Sequence, residues 1–429
     1  MMISPFLTYD EDKKAVFNWL EGNYVIEEDS GHPFFKLFRG EKIKADEIAR
    51  YIDDFNWLKK NHFLLDSELE AQKLIDQLYS YLNRDSLLQL VLLPAGLDCN
   101  FECKYCYQNR DNHYYGIDHQ KRLIKLFSHK KGLKEVSLSF FGGEPLLNSR
   151  WIIDFLQNVK KEFPHIKLTS TITTNGYLLE KKIFLKLLAL GVNTYQITLD
   201  GVEETHNFLR PLENGAPTFK KIVENLNNIS ALNGEFRIVL RINYNNSFNF
   251  DHWLKWVKRE PFSRDKRFFY IFRPIASGWN EKVNDVACKQ SKKYERFRFN
   301  SLLLENGLIS FDYLFYKKGG LLCPAGRKNF FILNWDFSLS KCTVEMDNPI
   351  NRVGYLTSGG VIHLNRNANL WVKKPVAEEK CRKCFFLPLC LSNHCPLNNI
   401  KYQTSICPVD KSYAVEIQRQ IVHFLEKTE

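Results

Sequence analysis

An α/β fold built on a partial barrel of six β/α units is predicted for this 429-residue chain by three observations. Strand-length runs recur at QLVLLP, EVSLSFF, KLTSTITT, NTYQITLD, EFRIVLRINY and RFFYIFRPI, between residue 88 and about 276. Helix-length segments such as DHQKRLIKLFSHK, SRWIIDFLQNVKK, LLEKKIFLKLLALG and TFKKIVENLNNISAL separate them, and that alternation implies βαβ units and a parallel sheet. One face of three strands is polar: Thr169, Thr171, Thr173 and Asn175; Thr194, Gln196, Thr198 and Asp200; Arg241 and Asn243. Side chains two apart share a face, so these residues are expected to line a wet cavity. A closed eight-unit barrel packs its interior with apolar side chains instead.

Before the barrel, residues 1–87 have their own order. KAVFNWLEGNYVIEE reads as two alternating runs around Glu21-Gly22, a hairpin; KADEIARYIDDFNWLKK reads as a helix and NHFLLDSE as a short strand. That is a winged-helix-like order. The opening MMISPFLTYDEDKK has no basic region leading into an apolar run and a cleavage site, so a cytoplasmic chain is expected. No apolar run reaches the roughly 18 to 20 residues of a membrane span. The 44% hydrophobic and 14% aromatic content suffices for large cores. A formal charge of +11 favours acidic partners, but Lys and Arg are scattered with no long basic tract, which disfavours nucleic acid.

Eleven cysteines cluster at 99–106 and 323–407. In LPAGLDCNFECKYCYQNR, Cys99, Cys103 and Cys106 stand as C-x3-C-x2-C. A disulfide knot is disfavoured in a reducing compartment, where close cysteines are metal ligands or catalytic. Structural zinc takes four ligands; here there are three, and His113 is the nearest histidine. Thiolates at such spacings hold iron–sulfur clusters, and three of them leave one iron of a cubane open to a ligand.

With Tyr105 before the last cysteine, the motif resembles the signature of radical S-adenosylmethionine (SAM) enzymes, whose open iron chelates SAM and cleaves it to a 5'-deoxyadenosyl radical. Gly142, Gly143, Glu144 and Pro145 in LSFFGGEPLLN resemble the GGEP motif of that family. Two glycines permit close backbone approach to a ligand, and Glu144 is expected to pair with an ammonium such as that of SAM. By the same resemblance Asn175, Thr198, Arg210, Arg241 and Asn243 sit where the family contacts SAM, with Thr198 where serine is more usual, and Tyr105 packs on the adenine.

The C-terminal third holds Cys323, Cys342, Cys381, Cys384, Cys390, Cys395 and Cys407. Four of them, at 381–395, suit one structural zinc; seven exceed it. The pattern resembles the SPASM extension, which binds two auxiliary 4Fe–4S clusters. Carried over by position, Cys323, Cys342 and Cys395 ligate the first, and Cys381, Cys384, Cys390 and Cys407 the second. This sequence departs from the family in having four residues before Cys395, Phe337 in place of a glycine, and no evident fourth ligand for the first auxiliary cluster. Cys288 reads as a buried small hydrophobe.

The expected organisation is a winged-helix-like domain at 1–87, a radical SAM core at 88–300 and a SPASM domain at 301–429. The resemblance implies SAM, three 4Fe–4S clusters, a precursor peptide with a leader, and an external one-electron reductant such as flavodoxin or ferredoxin; residues 1–87 read either as an element whose strand edge captures that leader or as a cap on the barrel. The expected product is a thioether, ahead of a carbon–carbon crosslink. The alternatives are maturation of a sulfatase's active-site Cys or Ser to formylglycine, or an iron–sulfur or zinc binding module without radical chemistry.

Overall fold

The computed structural model describes residues 1–276, 286–288, 293–372, 379–403 and 407–428. The chain divides into two compact units: Met1–Arg84 with Asp312–Lys328 and Asn369–Glu429, and Asp85–Phe311 with Asn329–Ala368. Residues 301–429 are thus shared between the two.

In the first unit, β1 (Met2–Ile3) pairs antiparallel with β5 (Leu64–Leu65), and β2 (Leu7–Asp10), β3 (Ala15–Asn18) and β4 (Asn23–Ile26) form an antiparallel meander. The hairpin expected around Glu21-Gly22 is β3–β4, registered Ala15 to Ile26 and Asn18 to Asn23. The single helix expected after it is two, α2 (Ala45–Arg50) and α3 (Ile52–Lys60), preceded by α1 (Pro33–Phe38) and followed by α4 (Glu68–Leu82). The break is at Tyr51, φ −116° and ψ 33°, where Asp53 and Asp54 favour a fresh helix N-terminus. Leu7, Val16, Phe34, Phe35, Phe55, Leu58, Phe63 and Leu64 make its core.

The second unit is one 11-stranded sheet. The six predicted strands are β6 (Leu87–Leu92), β7 (Glu135–Phe140), β8 (Lys167–Thr174), β9 (Val192–Thr198), β10 (Arg237–Tyr244) and β11 (Phe268–Pro274), all parallel to their neighbours. The helices between them include α5 (Ile117–His129), α6 (Ser149–Glu162), α7 (Lys181–Ala189), α8 (Glu203–Leu209), α9 (Phe219–Ser230) and α10 (Phe250–Val257). Along β7, Val136, Leu138 and Phe140 are buried while Ser137 and Ser139 face the other way. On that other face the Thr171 hydroxyl donates to Ser139 Oγ at 3.2 Å.

The sheet runs past the six units at both ends. β12 (Ile309–Ser310) extends it beyond β11, and β13 (Phe330–Leu333) pairs parallel with β6. β14 (Ser338–Ser340), β15 (Arg352–Leu356) and β16 (Ile362–Leu364) follow antiparallel. The β6 and β11 strands do not pair with each other, so the barrel stays open, as the polar strand faces predict. No helix among the described residues is long and apolar enough to cross a membrane.

Candidate functional site

The cysteine loop leaves the end of β6 and is clamped at its base by the GGEP stretch. Gly143 N–H donates to Gly96 O at 3.2 Å and Glu144 N–H to Asp98 O at 2.7 Å. A Cβ at Gly143 would lie 2.0 Å from Asp98 O, and one at Gly142, where φ is +127°, would lie 2.2 Å from Gly96 O. The close approach that two glycines permit is therefore made to the chain itself. Glu144 is fully buried. Its Oε1 accepts from the Thr174 hydroxyl at 2.7 Å and Leu146 N–H at 3.0 Å, and its Oε2 from Asn175 N–H at 2.7 Å. Burial pushes its carboxyl upward, opposed by those three donors. Glu144 thus ties the end of β7 to the end of β8, behind the wall of the cavity.

That cavity, about 430 Å³, is lined by Cys99, Cys103 and Cys106 together with Tyr105, Gly143, Asn175, Thr198, Arg210, Arg241 and Asn243. Residues assigned from one short motif and from the ends of β8, β9 and β10 therefore face one space, of a size suited to a small ligand. Gly142 and Glu144 are not in the wall. Thr173 and Gln196 join it from the predicted polar faces.

Polar contacts in the wall converge on Tyr105. Its hydroxyl donates to Asp200 Oδ2 and accepts from Arg210 Nη1 at 2.6 Å and Asn243 Nδ2 at 3.0 Å. One donor and two acceptor positions are all that a phenol has, so its ring face is what it offers a ligand. Asn243 N–H and Nδ2 also donate to Asp200 Oδ1, at 2.7 and 3.2 Å, and Asn243 Oδ1 accepts from Arg241 Nε at 2.8 Å. Arg210 Nε, 4.0 Å from Asp200 Oδ2, is buried without a hydrogen-bond partner. Asn175 Nδ2 lies 3.9 Å from Cys99 Sγ and donates to Asn100 Oδ1 at 2.8 Å.

These residues fit an iron–sulfur cluster with SAM. Three thiols share a wall, and a buried guanidinium N–H there lacks an acceptor. Burial pushes the Cys99 thiol up to about 12 and the Cys103 thiol to about 11, and a bound metal displaces such protons. Among the described residues no group of three or more His, Cys, Asp or Glu closes on a single metal ion. A cubane needs no such closure, because each thiolate binds a different iron.

The second cysteine system lies mostly in the first unit. Cys384 N–H donates to Cys381 O at 3.0 Å and Cys390 N–H to Phe386 O at 3.4 Å. Burial pushes the Cys390 thiol up to about 12, and Cys384, Cys381 and Cys407 are near enough to add to it. Burial alone would lower the Lys411 ammonium, but a hydrogen bond to Cys384, with Cys407 and Cys381 nearby, holds it above its usual value. Cys381, Cys384, Cys390 and Cys407 therefore come together. Cys323 and Cys395 belong to the same unit and Cys342 to the other. Cys288 is buried, its thiol donating to Tyr244 O at 3.3 Å.

Asp200, expected in the wall from its spacing to Thr194, Gln196 and Thr198, is absent from it; its role as the shared acceptor arises only from tertiary contacts. Several residues of the wall escaped sequence reasoning. Tyr107 lines the cavity beside the cysteine motif. Thr343 and Val344 also line it, brought there because β13 adds to β6 some 240 residues away in sequence.

Residues 93–257 match the Radical SAM superfamily. Over 336 residues, 71% of this chain and 87% of the relative, the chain is 23% identical to the cysteine-type anaerobic sulfatase-maturating enzyme of Clostridium perfringens. It is 26% identical over 202 residues, 40% of this chain and 42% of the relative, to the radical SAM cyclopropyl synthase TigE of Paramaledivibacter caminithermalis. Among solved structures, native anSMEcpe with bound AdoMet and Cp18Cys peptide matches with a TM-score of 0.57 at 19% identity, covering 80% of this chain and 97% of that one.

Proposed function

We propose that the chain, whose residues 93–257 match the Radical SAM superfamily, is a radical SAM peptide maturase acting on a cysteine of a ribosomally made precursor, with a thioether as product. Cys99, Cys103 and Cys106 would hold the cluster, which together with SAM would supply a 5'-deoxyadenosyl radical for hydrogen-atom abstraction from carbon. The chain holds that chemistry in place: Asn175, Thr198, Arg210 and Arg241 bind polar groups of SAM, the ring of Tyr105 packs against it, and the open barrel end admits the peptide. The proposal includes two auxiliary 4Fe–4S clusters, one on Cys381, Cys384, Cys390 and Cys407, a flavodoxin- or ferredoxin-type reductant, and recognition of the leader by residues 1–87.

The observation that carries the choice of cysteine is the make-up of the cavity wall. Among the described lining residues there is no Asp, Glu or His, while Arg110, Arg210 and Arg241 are present. A serine hydroxyl needs a general base to lose its proton. A thiol, with an ordinary pKa of about 8.5, ionises partly unaided, and neighbouring cations favour the thiolate. A second reading, conversion of a cysteine to formylglycine, is favoured by the sulfatase-maturating relative that matches 71% of the chain.

Anaerobically reconstituted enzyme incubated with SAM, reductant and paired Cys and Ser peptides tests the proposal by mass spectrometry. The Cys peptide should lose two hydrogens and become resistant to thiol alkylation, the Ser peptide should stay unchanged, and Cys106→Ala should yield no 5'-deoxyadenosine. An aldehyde in place of the thiol selects formylglycine formation. Equal turnover of the Ser peptide overturns the cysteine assignment.

A further inference from the structure

Three cavity residues share an anchor that does not itself reach the cavity. Asp200 is fully buried and absent from the lining, yet its carboxylate accepts from Tyr105 and Asn243 and faces the Arg210 guanidinium. We propose that Asp200 is a positioning residue: through Tyr105 it pins the cysteine loop to the strand ends and so sets the affinity for SAM. The inference rests on the reading of this cavity as the SAM site.

The anchor is rigid because it belongs to a closed circuit. Asp200 N–H donates to His206 Nδ1 at 3.0 Å, which places the imidazole proton on Nε2, 3.1 Å from Thr218 Oγ1. The Thr218 hydroxyl donates to Arg210 O at 2.7 Å, and Arg210 Nη1 returns to the Tyr105 hydroxyl. Burial and the Arg210 charge hold the His206 imidazole neutral, the form this chain of donors requires. Tyr105 stands between Cys103 and Cys106, so fixing its hydroxyl fixes the part of the loop that carries both sulfurs. Other ties of that segment include Glu102 N–H to Pro211 O and Lys104 N–H to Leu209 O, both 2.9 Å, and the Lys104 ammonium over the Phe208 ring at 3.4 Å. They hold the loop against the C-terminal end of α8 and the residues that follow it, while the Tyr105 side chain reaches Asp200 and Asn243.

A carboxylate that accepts several hydrogen bonds cannot be replaced by an amide without turning an acceptor into a donor. Asp200→Asn keeps the volume but sets an N–H or a weaker acceptor against Tyr105 and removes the charge facing Arg210. Support residues of this kind change affinity by about ten- to hundredfold without touching the ligand.

The test uses the reconstituted holoenzyme and the cycle Asp200→Asn, Tyr105→Phe and the double variant. Iron content and melting should stay near wild type. SAM affinity by calorimetry should fall about ten- to hundredfold in each single variant, and the double should cost no more than the worse single, because the two act through one contact. The shift that SAM induces in the spectrum of the reduced cluster should shrink in step. Unchanged SAM affinity in Asp200→Asn, or a double whose cost equals the sum of the singles, overturns the proposal. If Asp200→Asn fails to hold iron, Tyr105→Phe decides alone: wild-type affinity there overturns it. Failure of wild-type enzyme to bind SAM would instead overturn the reading of the cavity, a result distinct from any of these.

Discussion

At the scale of single residues, Phe337 shows how a departure from a family pattern is accommodated. It stands where the SPASM resemblance expects a glycine, and its φ of +62° is the left-handed conformation that favours glycine. An L side chain there costs about 1 to 2 kcal/mol. Against that cost, the ring lies under the Arg122 guanidinium at 3.6 Å and stacks on His119 at 4.4 Å. A cation–π contact contributes about 0.5 to 1 kcal/mol and an aromatic pair about 0.5 to 1.5 kcal/mol, so the two effects nearly cancel. Phe337→Gly should therefore change stability by less than about 1 kcal/mol, whereas Phe337→Ala keeps the strain, loses both contacts and should cost about 1 to 2.5 kcal/mol. Anaerobic denaturant titration of the two variants checks the order; an alanine variant more stable than the glycine one would show that the backbone is not strained. Among the site residues, the cysteine motif and the alternating threonines were legible because ligand spacing and strand period are local. The saturation of Tyr105 by Asp200, Arg210 and Asn243 was not, because it joins residues up to 138 apart in sequence.

At the scale of elements, the six barrel strands were legible because each is a strand-length apolar or alternating run and helix-length segments recur between them. The β13–β16 strands were missed: FFIL and SLS are too short to read alone, and FFIL is a strand by pairing with β6, far away in sequence, with SLS pairing on it in turn. The C-terminal helix Ala414–Thr428 poses the same problem, since its partner is the N-terminal meander. Arg419 reaches Asp10 through Nε at 2.5 Å and Nη2 at 2.6 Å, and Asp12 at 2.6 Å, while the Thr8 hydroxyl donates to Gln418 Oε1 at 2.8 Å. The Arg419 hydrogen bond holds the Asp10 carboxyl below its usual range, although burial opposes it. A depressed carboxyl stabilises above its unfolded pKa and ceases to as pH falls through the folded one. Docking of this helix should therefore weaken in acid, below the ordinary aspartate range of about 4, with no loss toward neutral pH. Hydrogen exchange of the helix amides at descending pH measures it; Asp10→Asn should exchange fast throughout, and an acid-insensitive wild type would show that the pair contributes little.

At the scale of the whole molecule, the first unit is assembled from three separated stretches of chain. Trp19, buried beside β3, packs edge-on against Phe386 at 4.5 Å and lies 6.3 Å from both Phe385 and Tyr316. The N-terminal hairpin thus supports the segment that carries Cys384 and Cys390. If the second cysteine set holds a cluster as proposed, deleting residues 1–87 should release that iron while the loop of Cys99, Cys103 and Cys106 still binds its share. Iron analysis and spectra of the truncated protein test this, and full retention of iron would mean the hairpin is dispensable for that set. The docking of Ala414–Thr428 on β2 also fixes an order of events during synthesis. The meander of residues 7–26 leaves the ribosome well before the helix Ala414–Thr428 that packs on it. Domains made at about 5 to 20 residues per second fold as they emerge, so the parallel strands of the second unit can close while the earlier sheet still shows the face meant for that helix. That sheet, made before the barrel, is thus completed after it, and a chaperone able to shield residues 7–26 during that interval should raise the yield of intact protein more than one acting on the barrel.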